Sequence, residues 1–248
     1  MRDQLGTTIQ MTHEVLASRL AHAQASMPTK DRPRDRFPAT DRFLASTSRH
    51  VAAANAVLVP EFAAHLADGK AQAKAFTAAS KHLEEALAHT KAKLYGSTYD
   101  VKRPWRAVWA EVDEAFEEYM VLEEDLVAAL PHDEHRNELA ERLYRSELKA
   151  PTRPHPYIPH RGATGKVARG VAVRVDRFWD TAEGRMIPDP VHAERHADGR
   201  LAQYLLAETH IEEPGAEEIV ADEIVADEIG AEEIVAEEPA AEEPQPER

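Results

Sequence analysis

Tyr119 and Glu123 stand where a packed helix needs hydrocarbon. From Trp105 to Leu130 the sequence places Trp105, Trp109, Val112, Phe116, Tyr119, Glu123, Leu126 and Leu130 at spacings that alternate between four and three. That alternation is the seam of a bundle helix. A carboxylate inside such a seam is costly unless it is paired, protonated or bound to a cation. His50 falls within the apolar stripe of an earlier helical segment, and His82 lies toward the core side of a third. One inward histidine is usually a satisfied core residue. Two of them with an inward glutamate point toward a metal site, because bundle cores are where His and carboxylate ligands are brought together.

Helix geometry constrains that idea. If the second and third helices form a straight hairpin, His50 is level with His89, and His82 is level with Tyr119. His50 and His82 are then offset by roughly 10 Å at 1.5 Å per residue. Other chemistry is narrow. The absence of Cys excludes thiolate metal sites, disulfides, thiol redox and cysteine nucleophiles. His155 and His160 flank Tyr157 in a Pro-rich stretch and read as packing groups. GATGKVARG lacks the spacing of a phosphate loop, and no strand precedes it.

The elements that must position these residues are all helical. The pattern predicts a helix over 7–26 behind Thr7 or Thr8, with Met11, Val15, Leu16 and Leu20 on one side. After the linker PTKDRPRDRFPAT, a second helix starts at the Thr40/Asp41 cap and runs to about Leu66, with Pro60 as a kink. Asp68-Gly69 makes a turn, and a third helix spans about 72–95, with Phe76, Leu83, Leu87 and Leu94 inward and Gly96 past its end. Pro104 opens the fourth as its first residue, and Pro131 stops it. A fifth covers about 133–149. Further helices are expected over 165–182, with Val167, Val171, Val175, Phe178 and Trp179 packed, and over about 191–209. No segment alternates as strands do. The expected fold is an all-α, four-helix up-down bundle with added C-terminal helices. Its parts are an N-terminal helix and linker (1–39), the bundle (40–149), a Pro-rich and helical segment (150–210) and an acidic tail (211–248).

The tail explains the charge. Of a net −15, fourteen negative charges lie in seven consecutive pentads from Glu212, Glu247 and Arg248 cancel, and residues 1–211 are left at −1. A five-residue period suits neither helix nor strand, so the repeats read as disordered, solvating or serving as an arm for an unknown protein partner. Residues 145–177 hold a net +6, either a solvated face or a docking strip for an anionic partner. No nucleic-acid motif accompanies that strip. No apolar run approaches membrane-spanning length and no signal-peptide core is present. The chain therefore reads as soluble and cytoplasmic, with no membrane partner.

The stretch from Arg42 to Leu130 resembles the hemerythrin-like (HHE cation-binding) family through DRFLASTSRHVAAANAVLVPEF, KHLEEALAHTKAKLYG and EEYMVLEEDLV. The last is similar to that family's H-x3-E-E helix signature, with Tyr119 in the histidine's place and Glu123-Glu124 retained. APTRPHPYIPH and RFWDTAEGRMIPDP are similar to a C-terminal extension found on some members. The resemblance implies a four-helix bundle that holds non-haem iron through His and carboxylates, and a role in carrying, sensing or sequestering oxygen-related species or iron. Carried over, its ligands are His50, His82, and Glu123 or Glu124. Ala54, Ala86 and Tyr119 occupy three further ligand positions, so the implied site is degenerate, with a single ion and a binding or redox-sensing role rather than turnover. The rival reading is a metal-free helical interaction module acting through the basic strip and acidic tail. Oxidase or peroxidase activity comes third, because it requires a bound redox metal.

Overall fold

A computed structural model describes residues 3–26, 36–96, 102–156, 170–176, 178, 180 and 187–192. Helix is the regular structure among them, and no strand occurs among the described residues. The all-α expectation is met. The helices are α1 (Gln4–Ala25), α2 (Arg36–His65), α3 (Gly69–Leu94), α4 (Trp105–Ala129) and α5 (His135–Glu147).

Each helix starts and stops for local reasons. α1 begins earlier than the Thr7/Thr8 signal, because the Asp3 side chain caps it by accepting from the Gly6 N–H at 3.0 Å. Such a cap contributes about 1 kcal/mol. α2 also starts early, at Arg36, and continues through Pro60 to His65. Between α2 and α3, Asp68 takes a left-handed conformation (φ 52°), and a Cβ on Gly69 would lie 2.2 Å from the Phe62 carbonyl oxygen. The turn therefore depends on glycine for close approach. At the other end of α3, Gly96 has φ 79°, the left-handed residue that commonly follows a helix. Pro104 sits one residue ahead of its expected place, at the N-cap of α4.

The first four helices form a closed ring of antiparallel neighbours. α1 packs on α2, α2 on α3, α3 on α4, and α4 back on α1. Cross-helix bonds fix the directions: Gln24 to Asp113 and His13 to Glu124 join α1 to α4, while His89 to Glu111 and His82 to Glu118 join α3 to α4. Across the diagonal, Phe43 of α2 stacks edge-on to Phe116 of α4. The bundle boundary drawn at residue 40 thus omits one of the four bundle helices. α1 closes the ring, and α5 lies over the groove between α1 and α2.

α2 explains why this arrangement tolerates a fifth helix. It contacts α1, α3 and α5, and Ala52, Ala53, Ala54 and Ser48 are buried along with the apolar stripe. A helix buried on nearly every face needs small residues where neighbours approach. The rest of the core runs from Leu5, Ile9, Leu16 and Leu20 of α1 to Leu139 and Leu143 of α5. Arg136, itself buried, ties three helix ends together. It donates to both oxygens of Asp3 and to the carbonyls of Val127 and Leu130.

Residues 170–176 are helical, but not with the expected face inward. Val171, Val175 and Phe178 are exposed, whereas Ala172, Asp176 and Asp180 are buried. The aspartates account for the rotation. Asp176 accepts from the Thr152 and Arg153 backbone N–H groups and pairs with His155, and Asp180 accepts from the Thr152 hydroxyl. These bonds hold the start of the Pro-rich stretch. Residues 187–192 are not helical, and the remainder of the helix expected over 191–209 lies outside the described residues. The chain divides after His210. Its acidic pentads also lie outside the described residues. Among the described residues no helix is long and apolar enough to cross a membrane.

Candidate metal centre

Three helices deliver one ligand atom each to a point inside the bundle. His13 of α1 lies on the buried face set by Leu5, Ile9, Leu16 and Leu20. His50 comes from the middle of α2 and Glu123 from the seam of α4. His13 Nε2 is 3.0 Å and His50 Nε2 2.9 Å from a single oxygen, Glu123 Oε2. All three residues are buried, and their ligating atoms lie within 4.8 Å of one another. With metal–ligand bonds of about 2.1 Å, neighbouring ligand atoms around one ion sit roughly 3 to 3.4 Å apart. The two nitrogen–oxygen separations are close to that.

A second layer orients both rings. His13 Nδ1 faces Glu124 Oε1 at 2.6 Å, and His50 Nδ1 faces Glu147 Oε1, on α5, at 2.7 Å. Each imidazole therefore has one nitrogen held by its own outer carboxylate and the other aimed at Glu123. Metal-binding histidines are usually oriented in this way, by a carboxylate on the nitrogen away from the ion. The rings stand perpendicular, with centroids 5.6 Å apart.

Electrostatics follow from this enclosure. Burial opposes a charge on His50, but Glu123 and Glu147 outweigh it and raise its pKa to about 10. Burial likewise opposes ionisation of Glu123, and the His50 and His13 partners outweigh it, bringing its pKa down to about 2. Tyr119 lies beside the group, with its ring centroid 6.1 Å from that of His50. Burial raises its pKa well above the usual value, and the charge of Glu123 raises it further, so the phenol stays neutral. Two buried polar atoms here make no hydrogen bond of good geometry, the Tyr119 hydroxyl and Glu123 Oε1. The nearest partner of each is the other, because Glu123 acts on the Tyr119 phenol as a hydrogen-bond acceptor. On the other side of His50 and Glu147, a cavity of about 20 Å³ runs toward Arg19, Ser46 and Pro188, room for about one water.

The residues singled out from the sequence divide accordingly. His50 and Glu123 meet in the centre, Glu124 supports it through His13, and Tyr119 borders it. His82 does not take part. Its side chain is 44% exposed and bonds Glu118 on the outer face. His89 is not beside His50 either, but pairs with Glu111. Sequence reasoning missed His13 and Glu147. His13 had a readable signal, since it lies four residues after Ile9 and three before Leu16, in phase with the buried face. Glu147 had none, because nothing local shows that α5 ends beneath His50.

The chain matches no family model, no curated protein and no solved structure.

Proposed function

We propose that the protein binds one transition-metal ion, of the iron or zinc class, between His13 Nε2, His50 Nε2 and Glu123, and that it acts in metal binding or redox sensing as a degenerate hemerythrin-like bundle. The observation that supports this reading is the convergence of two histidine nitrogens on one glutamate oxygen while separate carboxylates hold their opposite nitrogens. Two imidazoles and a carboxylate suit zinc and non-haem iron equally well. Donor type leaves that choice open. A redox role would need iron. The chain's own residues supply the nitrogen and oxygen donors, the outer carboxylates that fix the rings, and the apolar wall that excludes bulk water.

The test is the iron and zinc content of untagged protein purified without chelators. About one equivalent, lost in both His13→Ala and His50→Ala, supports the reading. Trace metal that is unchanged in those variants overturns it. A second reading, a metal-free bundle acting as an interaction module, is favoured by one observation: the group closes as an ion-paired network, with His50 held charged between Glu123 and Glu147. Oxidised protein with ligand-to-metal absorbance bands favours the first reading, and a featureless spectrum with no metal favours the second.

A further inference from the structure

Ring nitrogens also gather on one oxygen at the far end of the α2–α5 contact. Glu61 and His65 lie one turn apart at the end of α2, and His135, Glu138 and Arg142 share a face of α5. His65 Nε2 is 3.4 Å and His135 Nε2 3.3 Å from the same atom, Glu61 Oε2. Arg142 occupies the other oxygen, Glu61 Oε1, at 3.1 Å. His135 Nδ1 faces Glu138 Oε2 at 3.3 Å. The imidazole centroids are 6.5 Å apart. Glu61 is largely buried, whereas the two imidazoles are about half exposed.

We propose that Glu61, His65 and His135 form a second, surface cation site that takes a borderline divalent ion of the zinc, nickel or copper class and pins the end of α2 to the start of α5. Imidazole and carboxylate donors without thiolate select that class over calcium or magnesium. Arg142 fixes the plane of the carboxylate so that Oε2 remains toward the histidines. Glu138 orients His135 from behind, as outer carboxylates do at metal sites. The Glu61–His65 spacing puts both on one helix face. The 3.3 and 3.4 Å separations already suit ligand atoms around one ion with bonds of about 2.1 Å, and rotation of the two half-exposed rings is what must bring their nitrogens toward each other. Without an ion these contacts are exposed pairs that contribute little to stability. With one, they become a cross-helix staple. The site is distinct from the buried centre, since His50 lies roughly 16 Å up α2 from Glu61 at 1.5 Å per residue.

The experiment is a Ni²⁺ titration of the untagged full chain, followed by histidine side-chain NMR and by thermal melting. One event should perturb the His65 and His135 imidazoles together. It should weaken by about tenfold or more in either His65→Ala or His135→Ala, and persist in His132→Ala, which removes an exposed neighbour. Nickel should raise the melting temperature of wild type and of His132→Ala by more than that of His65→Ala or His135→Ala, because each site that binds the folded state alone adds its own stabilisation. If all three variants bind alike, or if His65 and His135 respond separately, the proposal is overturned. Failure of the buried centre would appear instead in the His13 and His50 signals and would leave this outcome untouched.

Discussion

Replacing Glu123 by Gln in metal-free protein isolates the charge that two buried imidazoles share. Glu123 is fully buried and its pKa moves from 4.5 to about 2. Each unit is worth 1.36 kcal/mol, so the coupling amounts to roughly 3 kcal/mol. That falls within the range of about 3–5 kcal/mol for breaking a buried pair. The part of the rise of His50 to about 10 that comes from Glu123 is the same interaction seen from its partner and is counted once; Glu147 supplies the rest. The sign follows from the directions. The Glu123 contribution is present above its unfolded pKa and is lost as pH falls toward about 2. The His50 contribution is complete below its unfolded pKa of 6.5 and is lost as pH rises toward about 10. Urea unfolding in chelator at pH 6 should therefore show the variant about 3 kcal/mol less stable. With slopes of about 2–3 kcal/mol per molar, the midpoint falls by roughly 1 to 1.5 M. Between pH 6.5 and 9 wild type should lose stability more steeply than the variant, whose His50 retains only Glu147. A difference below about 1 kcal/mol, with superimposable pH profiles, would refute the ion-paired description of the centre.

Arg136→Met should cost about 2–3 kcal/mol in chemical denaturation, chiefly because it leaves two buried helix-end carbonyls without a donor, while Asp3 is partly exposed and can be rehydrated. Burial alone would raise the Asp3 carboxyl, but the Arg136 and Gly6 hydrogen bonds outweigh it and hold it below its usual range. Wild type should therefore lose this contribution as pH drops through that carboxyl's folded pKa, and Asp3→Asn should flatten the acid limb. His82→Ala should leave metal content within error of wild type, because the side chain sits outside the centre; a loss of metal would mean that the centre includes α3. Loading a divalent ion into the buried centre should release the proton of His50 Nε2, read from the dependence of calorimetric heat on buffer. Gly69→Ala should destabilise by about 1–3 kcal/mol in urea through the clash with the Phe62 carbonyl.

How much of this was legible in the sequence depends on what each feature requires. The α4 seam and the α2 stripe could be read because burial imprints a helical period on residue type, and the same period exposed Tyr119 and Glu123 as misfits. His82 was misplaced because adjacent positions differ by 100° around a helix. Leu83 faces the core and its neighbour faces Glu118. The α1 pattern predicts Met11 and Val15 inward, but both are only half-buried. The face that packs instead runs through Thr12 and His13, where polar residues masked the stripe. The level at which helices meet is set by turns and crossings rather than by residue type. For that reason Glu147 could not be foreseen beneath His50, and His89 was wrongly set beside it. Asp176 and Asp180 show the converse. Two acids an α-helical turn apart override the apolar face, because Asp176 satisfies the backbone N–H groups of Thr152 and Arg153 and Asp180 the Thr152 hydroxyl, which would otherwise lose their partners.

The centre takes one side chain from residue 13 and another from residue 147, and this sets a schedule for synthesis. While a ribosome is still making α5, His50 has no Glu147, and before α4 emerges neither histidine has Glu123. At the usual 5–20 residues per second, roughly 7 to 27 seconds separate the synthesis of His13 from that of Glu147. Chains cut short before residue 123 would expose imidazoles without their carboxylates. The complete group thus requires a chain made at least as far as Glu147, the last residue of α5.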